Sequence, residues 1–218
     1  MHIDWYFDFI SPFASFQLPR LLQPPADVEV RFHPVLFAGL LNHWGQLGPV
    51  EIPAKRIFTY RYATWRARQL GVPFRMPSGH PFNSLPLLRL ALAANCEPRA
   101  IERIFSFVWR EGHVPDEHAI WQEFLAALER ELGIPNLPAR IAASDVKDAL
   151  RSNTERAIAA GVFGVPTGVV DGEIFWGDDA TEMMFDYCRD PAMLSTPEMK
   201  RTESVPTLAS RPASRPAS

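Results

Sequence analysis

Cysteine is nearly absent from this chain. Its 218 residues include two, Cys96 and Cys188, too few for a disulfide framework and without a C-x-x-C pair or a Cys/His spacing. Long apolar runs are missing too: no stretch reaches the roughly 18 residues of a membrane span. The opening MHIDWYFDFIS carries Asp4 and Asp8 where a secretion signal is basic and then uniformly apolar. A large net charge is also lacking; the formal value is −3, so the molecule as a whole is no polycation seeking nucleic acid. Together these absences predict a cytoplasmic protein of a reducing compartment, with neither nucleic acid nor membrane as partner. What is present, 47% apolar and 22% charged residues, suits one globular domain or one domain with a large insertion.

One local absence is informative. Residues 52–96 contain no acid but seven bases: Lys55, Arg56, Arg61, Arg66, Arg68, Arg75 and Arg89. Such a block is either a positive field for a small anion or a solvated helix face paired with acids elsewhere. Residues 191–218 carry five Pro, five Ser and three Thr with no aromatic. That composition cannot offset chain entropy by burial and predicts a disordered tail.

Along the folded part, Ile3, Trp5, Phe7 and Phe9 alternate with His2, Asp4, Tyr6 and Asp8, a strand with one apolar face. Ser11-Pro12 opens a helix that runs to Leu21–Leu22, with Pro19 as a possible kink. Val28, Val30 and Phe32 alternate in a second strand, which completes a right-handed β-α-β unit. The middle is helical: Lys55–Leu70, Pro86–Asn95, Pro98–Arg110 and Asp116–Leu132, then a helix capped by Ser144 and running to Ala160. Thr167–Val170 and Glu173–Trp176 flank Asp171-Gly172, a hairpin, and a last helix covers Ala180–Cys188. Without the helical block the order is β-α-β-α-β-β-α. The predicted fold class is therefore α/β, a thioredoxin-like fold with a large all-helical insertion between its β-α-β and β-β-α halves. Residues 1–36 and 145–190 form the thioredoxin-like domain, 37–144 the insertion and 191–218 the tail.

In such a sheet ligands favour the carboxyl ends of strands beside helix N-termini. Ser11 occupies that junction. Its hydroxyl either caps the helix or donates to an anion held there, including a thiolate. No G-x-S-x-G surrounds it, which leaves a serine hydrolase a distant alternative. The histidines (His2, His33, His43, His80, His113, His118) are scattered, and no metal site is expected. Phe58, Tyr60, Tyr62 and Trp65 interleave with bases on one helix and are expected in core and interface rather than stacked on nucleic-acid bases.

The segment Tyr6-Phe7-Asp8-Phe9-Ile10-Ser11-Pro12-Phe13 resembles the YFDFxSPY opening of 2-hydroxychromene-2-carboxylate isomerases. These are relatives of kappa-class glutathione transferases and of DsbA-like disulfide oxidoreductases. Further blocks agree in order: Pro34–Leu40, Ile52–Ile57, Asn83–Arg89, Gly164–Gly168 and Phe175–Ala180. The resemblance covers about residues 2–190 and implies glutathione as cofactor. It implies that Ser11 hydrogen-bonds the glutathione sulfur and favours its thiolate, as the catalytic residue. It implies a cis peptide before Pro166, pairing of the Val165 backbone with the cysteinyl unit, and a γ-glutamyl site at Trp176, Gly177, Asp178 and Asp179. Ser11-Pro12-Phe13-Ala14 replaces C-x-x-C, so dithiol exchange lacks both of its thiols.

The same resemblance implies a small aromatic carboxylic acid as substrate, near Asn42, Gln46, Lys55 and Asn83, and a homodimer. In the family pattern a lysine stands at Asn42 and an asparagine at Gln46, and Phe13 replaces a tyrosine. Loss of that lysine weakens a contact to a substrate carboxylate; Lys55 or a nearby arginine could compensate. The expected activity is a glutathione-dependent isomerase that interconverts 2-hydroxychromene-2-carboxylate and trans-o-hydroxybenzylidenepyruvate in aromatic catabolism. The alternatives are a kappa-class-like transferase that conjugates electrophiles, and a non-catalytic thioredoxin-like binding module.

Overall fold

β-Branched and aromatic residues at alternate positions make His2–Phe7 a strand, β1. It lies inside a four-stranded sheet of order β2-β1-β3-β4 in this computed structural model, which describes residues 1–209. Strand β2 (Glu29–Pro34) runs parallel to β1, reached through helix α1 (Pro12–Leu21). Strand β3 (Thr167–Val170) is antiparallel to β1, and β4 (Glu173–Trp176) is antiparallel to β3. Asp171 and Gly172, at φ 50° and 89°, make the tight turn that glycine favours in two-residue hairpins. Helices α2 (Phe37–Trp44), α3 (Pro53–Leu70), α4 (Leu85–Ala93), α5 (Pro98–Trp109), α6 (His118–Leu132) and α7 (Leu137–Ala142) come between β2 and α8 (Ser144–Ala159). Helix α9 (Thr181–Arg189) follows the hairpin. This is the thioredoxin-like fold with an all-helical insertion.

The apolar face of β1 unites sheet and insertion. Trp5, Phe7 and Phe9 are fully buried, and the Phe105 ring of α5 lies 6.3, 5.8 and 4.6 Å from theirs. Side chains of this size each contribute about 1.5–3 kcal/mol on burial. The opposite face of β1, polar in the sequence pattern, is covered as well. Tyr6 packs with Val35, Leu40, Ala157, Val162 and Val169, side chains that include members of α2 and α8. Asp8 is consequently 1% exposed, where simple alternation predicts a solvated carboxylate.

Three further differences have local causes. Short α2 and α7 carry too few turns to show a period in sequence. Helix α8 begins at Ser144, and Ala143 occupies the cap position without any side-chain hydrogen bond, so Ser144 is not the cap. Helix α3 buries only Ala63 and Ala67. Phe58 and Trp65 are therefore not core residues: with Tyr62 they form an exposed ladder, at centroid spacings of 5.8 and 5.7 Å. Pro19 sits inside α1 without ending it.

The tail composition predicts no structure beyond 190, yet Pro191–Ser195 forms a 3-10 turn and Pro197–Glu203 a short helix, α10. Asp190 and Thr196 cap them through the amides of Ala192 and Met199, and neither element buries a residue. Residues 210–218 of that expected tail lie outside the described residues. Among the described residues no helix is long and apolar enough to cross a membrane.

Candidate functional site

The loop from β1 to α1 is held at nearly every polar group. Ser11 N–H donates to the Asp8 carbonyl at 3.1 Å, and Ile10 N–H to Asp8 Oδ1 at 3.1 Å. Trp109 Nε1 donates to the Phe9 carbonyl at 2.8 Å, and His80 Nε2 pairs with the Ile10 carbonyl at 2.9 Å. A carbonyl only accepts, so the Nε2 proton is present on His80, and burial pushes this imidazole below its ordinary pKa. The Tyr60 hydroxyl lies 2.7 Å from the His80 carbonyl and 3.0 Å from Nδ1, which fixes the ring from behind.

This scaffold places Ser11 at the N-terminus of α1. Its Oγ accepts from Ala14 N–H at 3.4 Å and lies 3.5 Å from the Val165 carbonyl. Both are at the outer limit for hydrogen bonds, so the hydroxyl proton remains available to a ligand. The helix terminus adds a positive partial charge at the same point. Val165–Pro166 is cis. The Val165 N–H has no hydrogen-bond partner among the described residues. An unpaired peptide group beside a helix-terminal hydroxyl fits a peptide-like thiol such as glutathione.

Ser11 and Val165 line a cavity of about 710 Å³, within the range of small-molecule sites. Its walls come from α2, the Gln46–Glu51 loop, residues 80–85 and the Phe163–Val165 segment, with Trp176 at one side. Of the residues predicted from sequence, Ser11, Val165, Trp176, Gln46 and Asn83 line this cavity. Asn42 and Lys55 are exposed and are not among its lining residues. Pro166 and Gly177 adjoin it through the chain; the Gly177 N–H donates to the Pro166 carbonyl at 2.9 Å. Asp178 is buried, and its carboxylate receives Arg66 Nε at 3.1 Å. Burial raises its pKa and the Arg66 guanidinium opposes that rise. Asp179 is exposed. The basic block thus supplies one ion pair to the W-G-D-D segment.

Two further residues not singled out for the site help to organise it. Gln17 on α1 accepts from Trp5 Nε1 at 2.7 Å and donates to the Gly177 carbonyl at 3.1 Å and Thr181 Oγ1 at 2.9 Å. Asp8 lines the cavity and accepts Phe37 N–H on Oδ2 at 3.0 Å. Desolvation raises its pKa to about 6, against hydrogen bonds from Phe37, Ile10 and Ser84 that lower it. No periodic or spacing signal marks Gln17, because its partners lie 12 to 164 residues away in sequence. The alternating strand pattern itself conceals Asp8. No group of three or more His, Cys, Asp or Glu among the described residues could hold a metal ion.

The shift on Asp8 has a thermodynamic sign. A carboxylic acid whose folded pKa exceeds its unfolded value favours the native state below the unfolded value, and that advantage fades as pH rises through the folded one. Between the ordinary 3.8 and about 6 the cost is on the order of 3 kcal/mol. Asp8→Asn should therefore gain stability relative to the native chain as pH rises from about 4 to 7. Urea unfolding of both proteins at the two ends checks this; a constant difference would place the Asp8 pKa near its ordinary value.

A family model described as a DSBA-like thioredoxin domain matches residues 2–188. The chain is 27% identical over 207 residues to 2-hydroxychromene-2-carboxylate isomerase of Pseudomonas putida, covering 90% of this chain and 100% of the relative. It is 24% identical over 207 residues to glutathione s-transferase kappa 2 of Caenorhabditis elegans, covering 87% and 92%. Among solved structures, that of a SeMet 2-hydroxychromene-2-carboxylate isomerase superposes with a TM-score of 0.73 at 26% identity, over 90% of this chain and 100% of that one.

Proposed function

Because the chain belongs to the DSBA-like thioredoxin domain family, we propose that it is a glutathione-dependent isomerase of the 2-hydroxychromene-2-carboxylate type. The observation that carries this reading is the Ser11 hydroxyl, loosely held at the α1 N-terminus beside the Val165 peptide on the wall of an apolar cavity. Both named relatives, an isomerase and a glutathione transferase, support it. Glutathione, when bound, supplies a thiolate that adds reversibly to a conjugated carbon, turns a double bond into a rotatable single bond and is regenerated on elimination.

The chain's own residues do the rest. Ser11 donates a hydrogen bond to the thiolate and, with the helix terminus, holds it deprotonated near neutral pH. The Val165 backbone binds the cysteinyl unit next to Pro166. Trp176, Gly177, Asp178 and Asp179 form the γ-glutamyl end, where exposed Asp179 suits an ammonium and Asp178, held by Arg66, shapes the segment. Gln46 and Asn83 orient the substrate. The rigid loop formed by Asp8, His80 and Trp109 fixes Ser11 before any ligand arrives, which is the preorganisation that electrostatic catalysis needs. The reading includes a homodimer and a cytoplasmic setting, with aromatic catabolism as its context.

A conjugating transferase on the same scaffold is the second reading, supported by the kappa-class relative. Mass balance separates the two. Turnover of trans-o-hydroxybenzylidenepyruvate or a neutral benzylidene ketone should require glutathione and leave its total unchanged. Stoichiometric loss of free thiol with appearance of a thioether would make the protein a transferase; turnover indifferent to glutathione would remove both readings.

A further inference from the structure

The cavity beside Ser11 contains charge of one sign only. Asp8 and Glu51 are its charged lining residues, and no Lys or Arg lines it among the described residues. Burial disfavours a charge on the His80 imidazole, and both of its ring nitrogens are engaged. Lys55, where compensation for the missing lysine is expected, is exposed and outside the wall.

Helix N-termini are the other means by which a protein holds a carboxylate; at this cavity the α1 end is the one assigned to the thiolate, and leading N–H groups of α2 and α4 are occupied. The first N–H of α2, that of Phe37, is bound by Asp8 Oδ2 at 3.0 Å. That of α4, from Leu85, is bound by Asn83 Oδ1 at 3.1 Å. At α1 the Ala14 N–H is bound by Ser11 Oγ. A carboxylate entering this space would shed its water, meet no cation and lie near the Asp8 carboxylate. Desolvation of an unpaired ion costs several kcal/mol, and a like charge adds to that.

The polar groups that do line the cavity suit a neutral ligand. With its oxygen committed to Leu85, Asn83 still has its amide N–H groups to donate, and Gln46 offers a second neutral amide. Amides of this kind match a ketone or hydroxyl oxygen. Phe13, Phe37, Phe82 and Phe163 supply apolar wall for a ring.

We propose that this cavity selects an uncharged aromatic ketone, a conjugated carbonyl compound with no carboxylate, over the corresponding aromatic keto acid. The proposal names the substrate class of the isomerase reading above and rests on it for turnover, although the selectivity itself does not involve the thiol. Two unreactive ligands isolate it: benzylacetone and benzylpyruvate, alike except for the carboxylate. Calorimetric titration of the full chain without glutathione should give at least about tenfold tighter binding of benzylacetone at pH 7. Leu47→Arg, at a lining position 67% exposed to solvent and so tolerant of charge, should improve benzylpyruvate binding by about tenfold and abolish the preference.

Equal or tighter binding of benzylpyruvate by the native chain would overturn the selectivity and leave the thiol reading standing. Preference for benzylacetone together with glutathione-independent isomerisation of the unsaturated ketone benzylideneacetone, or with none, would uphold the selectivity and overturn the thiol reading.

Discussion

Ser11→Ala should lower kcat/KM for glutathione-dependent isomerisation by about ten- to a hundredfold, the worth of one hydrogen bond to a charged group, about 1.5–3 kcal/mol. The loss should appear mainly in kcat if the hydroxyl stabilises the thiolate through the reaction, and mainly in KM if it only anchors the tripeptide. Ser11 is also the α1 cap, through the Ala14 amide. The same substitution should therefore cost about 1 kcal/mol of stability. Gly at this position separates the two effects, since glycine is a tolerable N-cap without a hydroxyl. Ser11→Gly should match Ser11→Ala in rate while retaining more of the native stability. Full activity in both variants would deny Ser11 any part in the chemistry.

Gln17→Leu should destabilise the fold by about 2–4 kcal/mol. The substitution preserves bulk but strands the buried Trp5 Nε1 and the part-buried Gly177 carbonyl, and an unsatisfied buried group costs about 1–3 kcal/mol. Thr181 fares better, because its Oγ1 still donates to the Asp178 carbonyl at 2.6 Å. The melting temperature should fall by roughly 10 °C for a chain of this size. Removing the indole donor as well, in Trp5→Phe with Gln17→Leu, should restore part of the loss, because a pair of polar partners deleted together leaves nothing stranded. Gly177 and Asp178 belong to the proposed γ-glutamyl segment, so glutathione affinity should weaken in Gln17→Leu at temperatures where the protein remains folded. Urea unfolding and calorimetric titration read the two effects separately. Stability within 0.5 kcal/mol of native would mean that water replaces the amide at the β1–α1–α9 junction.

Much of the architecture is legible in the chain because it is encoded locally. The alternation of Ile3, Trp5 and Phe7 marks β1, Ser11-Pro12 marks the start of α1, and Asp171-Gly172 marks the hairpin. Strong 3.6-residue periodicity marks α5, where Ile101, Ile104, Phe105 and Val108 are all buried. The order of these elements leads to the fold class. What escapes detection is set by packing between distant segments. Asp8 belongs to a polar alternation in sequence and to a buried wall in space, because α2 and α8 cover the second sheet face. Phe58 and Trp65 look like core by composition and lie exposed, because α3 buries only Ala63 and Ala67.

The candidate site divides in the same way. Ser11, Val165 and Trp176 follow from the SPF, VPT and WGDD blocks, and all three line the cavity. Gln46 and Asn83 join them, whereas Asn42 and Lys55 stand outside it. Family alignment carries a position across but not the local orientation of a helix face. His80 and Tyr60 have no sequence signal at all, being one of six histidines and one of four tyrosines. Their role at the Ile10 carbonyl depends on the 70 residues that separate His80 from Ile10 in the chain.

Thiolate absorbance of glutathione, followed by ultraviolet difference titration against the native chain and Ser11→Ala, tests the central claim most directly. A docked thiol beside the α1 N-terminus should ionise at least one pH unit below the ordinary cysteine value of about 8.5, and the shift should shrink or vanish in the variant. An unshifted thiol in the native protein, at concentrations where calorimetry shows the tripeptide bound, would contradict the account.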